Sequence, residues 1–351
     1  ATSYAYDVRG RVLLTTNPTA PHLLVAYDNL GRQTASAAYS STASIVVGTD
    51  EPVTEATNRL SLSRTYYDER GQVWKNTSHQ IDAADGSDDD NLEELVWYDA
   101  VGREIKRDGQ SLSKSLYDRI GREVRSFELA SMNDTAYADA DDVAGDIVLS
   151  ESISGFDGDD LVLSARVDRR HSDFGTGQTT GALDTNADGN TLILTATDLK
   201  GRVQIEAAWH DRFGRATGRA SYGTNGDATF NRTTLSSVPA SADNNPASTT
   251  VFGDDGRVKT VTDALGHVTY REYDALGRVT KEVENYSASV NSGNPSGADD
   301  NQTVRYEYVD GLRTKIIADV PSPGTDQETV YTYGTVKGRS AGDSKIATGH
   351  L

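Results

Sequence analysis

Asp184-Thr185-Asn186-Ala187-Asp188-Gly189-Asn190 is the stretch of this 351-residue chain whose residue types come nearest to a reactive or ligating site. Alternating oxygen side chains followed by glycine at the sixth place open an EF-hand-type loop, so Asp184, Asn186, Asp188 and Asn190 are the candidate metal ligands and calcium the candidate ion. The twelfth place holds Thr195, where that loop needs a bidentate glutamate, and a solvated Asp/Asn turn accounts for the same residues. Asp157-Gly158-Asp159-Asp160 and Asp139-Ala140-Asp141-Asp142 are weaker versions.

Catalytic patterns are missing. The chain has no Gly-x-Ser-x-Gly elbow, no phosphate loop and no His-Glu-x-x-His. Gly175-x-Gly177 is followed by Thr180 where a dinucleotide fingerprint needs glycine. The six histidines are scattered. With no cysteine there is no disulfide framework, thiolate metal site or thiol nucleophile. No catalytic residue is therefore assigned, and the chain is expected not to be an enzyme. Asn76, Asn133, Asn231, Asn285 and Asn301 head Asn-x-Ser/Thr triplets, which mostly reflect an Asn- and Thr-rich composition.

Bulk charge narrows the partners. A formal net charge of -19, with arginine spread along the chain, argues against nucleic acid and anionic membranes. No run reaches the length of apolar residues that a membrane helix needs, so no membrane insertion is expected. Residues 1–4 carry neither a basic nor an apolar leader segment, and a repeat starts at once, so the chain is expected to be a piece of a longer one.

What positions everything else is a repeat. Tyr-Asp-x-x-Gly-Arg occurs at Tyr6, Asp7, Gly10, Arg11; at Tyr27, Asp28, Gly31, Arg32; at Tyr98, Asp99, Gly102, Arg103; at Tyr117, Asp118, Gly121, Arg122; and at Tyr273, Asp274, Gly277, Arg278. Composition alone would give roughly 0.02 such matches, so the pattern is a true repeat. Near-copies begin at Tyr67, Thr197, His210, Phe252 and Thr262. Gly10 and Gly31 are 21 residues apart, and Gly256, Gly266 and Gly277 are 10 and 11 apart. That spacing suits a hairpin of two short strands and two turns. Aspartate can bond the backbone of the turn it opens, and glycine takes positive φ without steric cost. Tyrosine is a strand residue with a polar tip. The runs after Gly-Arg, such as Val258-Lys259-Thr260-Val261, alternate only in part, which suits a sheet with at least one wet face. The one helix candidate is the acidic stretch 88–96.

These residues resemble the RHS/YD-repeat family, which comprises rearrangement-hotspot proteins, the cocoon components of toxin complexes and teneurin-like shells. The resemblance runs from about Tyr4 to Tyr333. It implies an all-β fold in which antiparallel hairpins form a spiralling sheet, a shell or solenoid-like wall. It also implies a non-catalytic structural role outside the cell or at its surface, as a wall enclosing toxic cargo or as a self-assembling fibre. The partners implied are further YD repeats, from the parent chain or from other copies. The second reading is an adhesin that binds glycan or a protein through exposed tyrosines and acidic loops. The self-cleaving Asp-Pro-x-Gly core of the family's bacterial shells is not matched, because none of the eight prolines follows aspartate. No toxin domain is expected within these residues. The organisation expected is one YD-repeat domain over 1–351, with acidic loop insertions near 82–91, 131–196, 223–250 and 287–301.

Overall fold

A computed structural model describes residues 1–333 apart from 83, 134–135, 172–177, 185–191, 196–199, 291–292, 297–298 and 322. Among the described residues the chain is β-structure with short 3-10 turns, and 21 strands belong to one antiparallel sheet. It divides into two compact units, Ala1–Ser154 with Arg166–Val203, and Gly155–Ala165 with Gln204–Leu351.

In the first unit the strands run β1 (Ser3–Tyr6), β2 (Val12–Thr16), β3 (His22–Tyr27), β4 (Gln33–Tyr39), β5 (Arg59–Tyr67) and β6 (Val73–Ile81). They continue with β7 (Asp88–Tyr98), β8 (Glu104–Asp108), β9 (Leu112–Tyr117) and β10 (Glu123–Ser131). Each pairs antiparallel with the next, and β10 goes on to pair with β11 (Ile147–Asp157). A meander sends successive turns to opposite ends of the strands. The turns at 6–11, 27–32, 67–72, 98–103 and 117–122 therefore share one end, and the insertions leave from the other. After β12 (Asp160–Arg169) and the short β13 (Ile193–Leu194), the second unit repeats the plan. Its strands are β14 (Gly201–His210), β15 (Ala216–Gly223), β16 (Phe230–Asn231), β17 (Ala247–Phe252), β18 (Val258–Thr262) and β19 (Val268–Tyr273). Then come β20 (Val279–Glu284), β21 (Gln302–Val309), β22 (Leu312–Ala318) and β23 (Gln327–Val330). Neighbours pair in order, except that β15 skips to β17.

Several strands bury one of their two faces. On β14, Val203, Ile205, Ala207 and Trp209 are buried while Arg202, Gln204 and Glu206 face water, a clean period of two. In the first unit Leu14, Leu24, Ala37, Tyr39 and Leu62 form a cluster backed by Ala5, Ile45 and Ile81. Leu24 is 1% exposed, and burying such a side chain contributes roughly 1.5–3 kcal/mol.

Two expectations change. The helix candidate 88–96 is strand β7, bonded to β6 along its length, so pairing overrides its helix-like acidic start. The stretch 131–196, read as a loop insertion, contains β11 and β12, two of the longer strands. Their alternating buried residues, Val148, Ile153, Leu163, Ala165 and Val167, carry no repeat motif.

Candidate functional site: the repeated turn and its ladder

Within each Tyr-Asp-x-x-Gly-Arg turn the backbone closes twice. The Asp28 N–H donates to the Arg32 carbonyl at 2.9 Å, and the Gly31 N–H donates to the Asp28 carbonyl at 3.0 Å. Tyrosine faces the residue six places on, as Tyr27 faces Gln33, and the ladder shifts register just before it. This is a turn closed by a glycine bulge, which needs a left-handed residue at the glycine. Gly102 (φ +92°) and Gly277 (φ +87°) meet that need. The near-copy ending in Gly201-Arg202 differs. Gly201 opens β14 without a positive φ, and a Cβ there would lie 2.5 Å from the Asp168 carbonyl oxygen.

The aspartate locks the turn. Asp28 Oδ1 accepts the N–H groups of Leu30 and Arg32, both at 2.9 Å, and Oδ2 accepts Arg32 Nε at 2.6 Å. Asp7, Asp118, Asp211 and Asp274 repeat these bonds, and Asp99 does so with Arg103.

The arginine reaches forward to the next turn on the same edge. Its guanidinium stacks on that turn's aromatic ring: Arg11 on Tyr27 at 4.6 Å, Arg32 on Tyr67 at 4.4 Å and Arg103 on Tyr117 at 4.4 Å. In the second unit Arg215 stacks on Phe252 at 4.1 Å, Arg257 on Tyr273 at 5.7 Å and Arg278 on Tyr308 at 4.3 Å. The tyrosine answers. Its hydroxyl donates to the carbonyl of the residue after that arginine: Tyr27 to Val12, Tyr67 to Gln33, Tyr117 to Glu104, Tyr273 to Val258 and Tyr308 to Val279. Tyr, Asp, Gly and Arg are thus one device, in which each hairpin is stapled to the next.

The carboxylates titrate accordingly. Asp7, Asp118, Asp263 and Asp274 sit below the usual carboxylate range chiefly because the N–H four residues on bonds them, from Arg11, Arg122, His267 and Arg278. For Asp211 the Arg215 side chain is the main cause. At Asp28 and Asp99 burial pushes upward most strongly, yet the bonds from Arg32 and Arg103 together outweigh it. A depressed carboxylate adds stability above its unfolded value and loses it as pH falls through the folded one. The melting midpoint is expected to stay nearly flat from about pH 8 to 5 and to drop steeply below about pH 4. A thermal-melt series across pH checks this.

One rung is defective. Gln72 stands where arginine belongs; its Nε2 donates to the Gly102 carbonyl at 2.8 Å, while its buried Oε1 has no partner. Arg70 compensates with a 2.7 Å bond to the Ala100 carbonyl. Gln72→Arg would restore the bond to Asp68 and a stack on Tyr98. We expect a gain of about 0.5–1 kcal/mol, read as a higher melting midpoint.

Of the candidate calcium ligands only Asp184 is described; Asn186, Asp188 and Asn190 lie outside the described residues. Asp184 is buried, and its Oδ2 accepts Arg125 Nη2 at 3.0 Å. Among the described residues no group of three or more His, Cys, Asp or Glu side chains is placed to share a metal ion. Of the sequons, Asn301 is fully buried and its amide donates to the Ser287 and Val290 carbonyls, which leaves no access for a glycan. A repeat that the motif search missed is Tyr308 with Asp310-Gly311 and Arg313. Its successor Tyr333 donates to the Arg313 carbonyl at 2.9 Å, so the ladder extends past the last strict copy.

Residues 254–285 match the RHS Repeat family model. No curated protein matches the chain. The crystal structure of TcdB2-TccC3 aligns with 95% of this chain at 15% identity, TM-score 0.25, over 18% of that chain. The same complex without its hypervariable C-terminal region aligns with 95% at 16% identity, TM-score 0.24, over 17%. The Photorhabdus luminescens Tc holotoxin pore aligns with 94% at 14% identity, TM-score 0.22, over 20%. The chain spans about a fifth or less of each of these chains, and such low scores say nothing of overall shape. The RHS Repeat family model thus covers residues 254–285, and turns of the same build recur from Tyr6 to Tyr308.

Proposed function

We propose that the chain is a non-catalytic wall segment of a YD-repeat shell, working outside the cell and enclosing cargo. The observation that carries this reading is the forward staple: at five described junctions, Arg11–Tyr27, Arg32–Tyr67, Arg103–Tyr117, Arg257–Tyr273 and Arg278–Tyr308, the same arginine and tyrosine fasten one hairpin to the next, which is how a long strip is built and not how a cleft is shaped. A second observation supports it. The residue before the turn glycine is apolar and exposed at Leu30 (78%), Val101 (76%) and Ile120 (69%), all on one edge of the first unit. Strands lie about 4.8 Å apart, so neighbouring turns on that edge repeat every ~10 Å. In a spiralling strip the next revolution would cover such a row. The glycan-binding alternative is less well supported, since the repeat tyrosines that would read a sugar are already bonded within the ladder. Electron micrographs of the purified chain test the proposal. Thin curved walls or partial rings are expected; solid compact particles would overturn it.

A further inference from the structure

A motif arginine does three things at once. Arg11 donates from Nε to Asp7 Oδ2 at 2.6 Å, stacks on the Tyr27 ring at 4.6 Å and donates from Nη1 to the Asp28 carbonyl at 3.2 Å. Gln72, at the same place in its own turn, does only the third, through Nε2 to the Gly102 carbonyl at 2.8 Å. Its side chain is too short for the other two. Asp68 still closes the turn, because Oδ1 accepts the N–H groups of Arg70 at 2.9 Å and Gln72 at 2.8 Å. Among the described residues, however, no cation bonds its Oδ2. Nor does any described cation stack on Tyr98, the ring that this rung should cover, although the Tyr98 hydroxyl keeps its ladder bond to the Val73 carbonyl at 2.7 Å.

That carboxylate and that ring border the same opening. It measures about 290 Å³ and is lined by Asp68 and Tyr98 together with Trp74, Trp97 and Tyr137. Small-molecule sites begin near this size, at roughly 300 Å³. Trp74 is 41% exposed. Tyr137 is exposed too, yet it is held in place, its hydroxyl donating to the Tyr98 carbonyl at 2.7 Å. A second opening of about 470 Å³ shares Asp68, Tyr98 and Tyr137 and adds Gln72. Aromatic rings around a single carboxylate suit an organic cation: the ring faces attract it and the carboxylate supplies the counter-charge. The chain's own cations nearby are engaged elsewhere. Arg70 reaches the Asp99 and Ala100 carbonyls, Lys75 pairs with Glu93, and Lys106 stacks on Trp97.

We propose that the Gln72 rung is a binding site for a small organic guanidinium, which makes the two contacts that glutamine cannot. Its N–H groups donate to Asp68 Oδ2, and its plane lies on the Tyr98 ring as Arg32 lies on Tyr67 and Arg103 on Tyr117, both at 4.4 Å. A guanidinium suits the place better than a rounded ammonium. It is flat and its donors lie in its plane, so the stack and the bond form together. The net charge of -19 favours any cation near this surface, and the selectivity lies in the local geometry.

The test titrates ethylguanidinium chloride into the full 351-residue chain at fixed ionic strength. Binding is followed by indole fluorescence, since two of the three tryptophans line the opening, and by ligand-observed nuclear magnetic resonance. A saturable change is expected. Gln72→Arg supplies the guanidinium from within and should abolish binding while raising the melting midpoint, so its loss of binding is not a loss of fold. Asp68→Asn keeps the Oδ1 acceptor but removes the charge, and should weaken binding roughly tenfold or more. Tetramethylammonium, equally charged but without N–H groups, should bind the wild-type chain roughly tenfold more weakly or worse. No saturation by either readout, or undiminished binding by Gln72→Arg, would overturn the proposal. Saturation by an arginine-containing peptide with none by ethylguanidinium would overturn it as well, and would point to a protein partner.

Discussion

Lys114→Ala is expected to be among the most damaging single substitutions in the chain, at about 3–5 kcal/mol. Lys114 rises from β9 into the dry side of the sheet, where its side chain is 1% exposed. Its Nζ donates to the carbonyls of Asp139 at 2.9 Å and Asp142 at 2.6 Å and lies 2.8 Å from Asp146 Oδ2, itself wholly buried. Oδ2 meets no hydrogen-bond geometry, so that last contact is coulombic. Asp146 Oδ1 accepts the Asn133 N–H at 2.9 Å. One ammonium therefore ties the described part of the 131–146 segment to the sheet. Taking it away leaves a buried carboxylate without its cation and two carbonyls without their donor. A buried ion pair is dear to break from one side and far milder to replace from both. Lys114→Met with Asp146→Asn should accordingly recover more than half of the loss, since asparagine can still accept from Asn133. Thermal melts of the two single variants and the double variant check this. Equal loss in the single and double variants would show that the pair does not act as one.

Nothing about Lys114 distinguishes it in the sequence from the other lysines, and that marks where sequence reading stopped. The turns were legible because their bonds close within six residues, so Asp28, Gly31 and Arg32 announce their own geometry. The staple was half legible. The arginine and tyrosine stand in the motif, but Arg32 meets Tyr67, and the insertion between them hides which tyrosine is its mate. The ionic contacts under the insertions were not legible at all, because Lys114 and Asp146 are brought together only by the sheet. Local pattern misled at 88–96, where three aspartates ahead of Leu92 imitate a helix start. The decision there belonged to β6, whose free edge runs alongside. β11 and β12 were missed for the opposite reason: they alternate as strands should, but carry no Tyr-Asp signature.

Arg125→Leu should produce a loss of similar size, about 3–5 kcal/mol near neutral pH, and one that shrinks in mild acid. Arg125 donates from Nη1 to Glu151 Oε1 at 2.8 Å and from Nη2 to Asp184 Oδ2 at 3.0 Å. The other oxygen of Glu151 accepts the N–H groups of Leu183 at 2.9 Å and Asp184 at 3.0 Å. Both carboxylates are buried, so one guanidinium holds two negative charges out of water. Burial lifts the Glu151 carboxyl above its ordinary value of 4.5, with the Asp184 charge adding to it and the Asp184 N–H and Arg125 opposing. A raised carboxyl favours the folded state below the unfolded value and loses that advantage as pH rises through the folded one. Without Arg125 an opposing charge is gone, so the Glu151 carboxyl moves higher still. The variant can then shed its buried charge by taking up a proton at mild acidity, which the wild-type chain does less readily. The stability gap between the two should therefore be widest near pH 8 and narrow toward pH 5. The turn aspartates titrate alike in both chains and cancel in the difference. Denaturant melts of wild type and Arg125→Leu at pH 5, 6.5 and 8 measure the gap. A gap independent of pH would mean that Glu151 keeps its charge without Arg125, held by the Leu183 and Asp184 N–H groups alone.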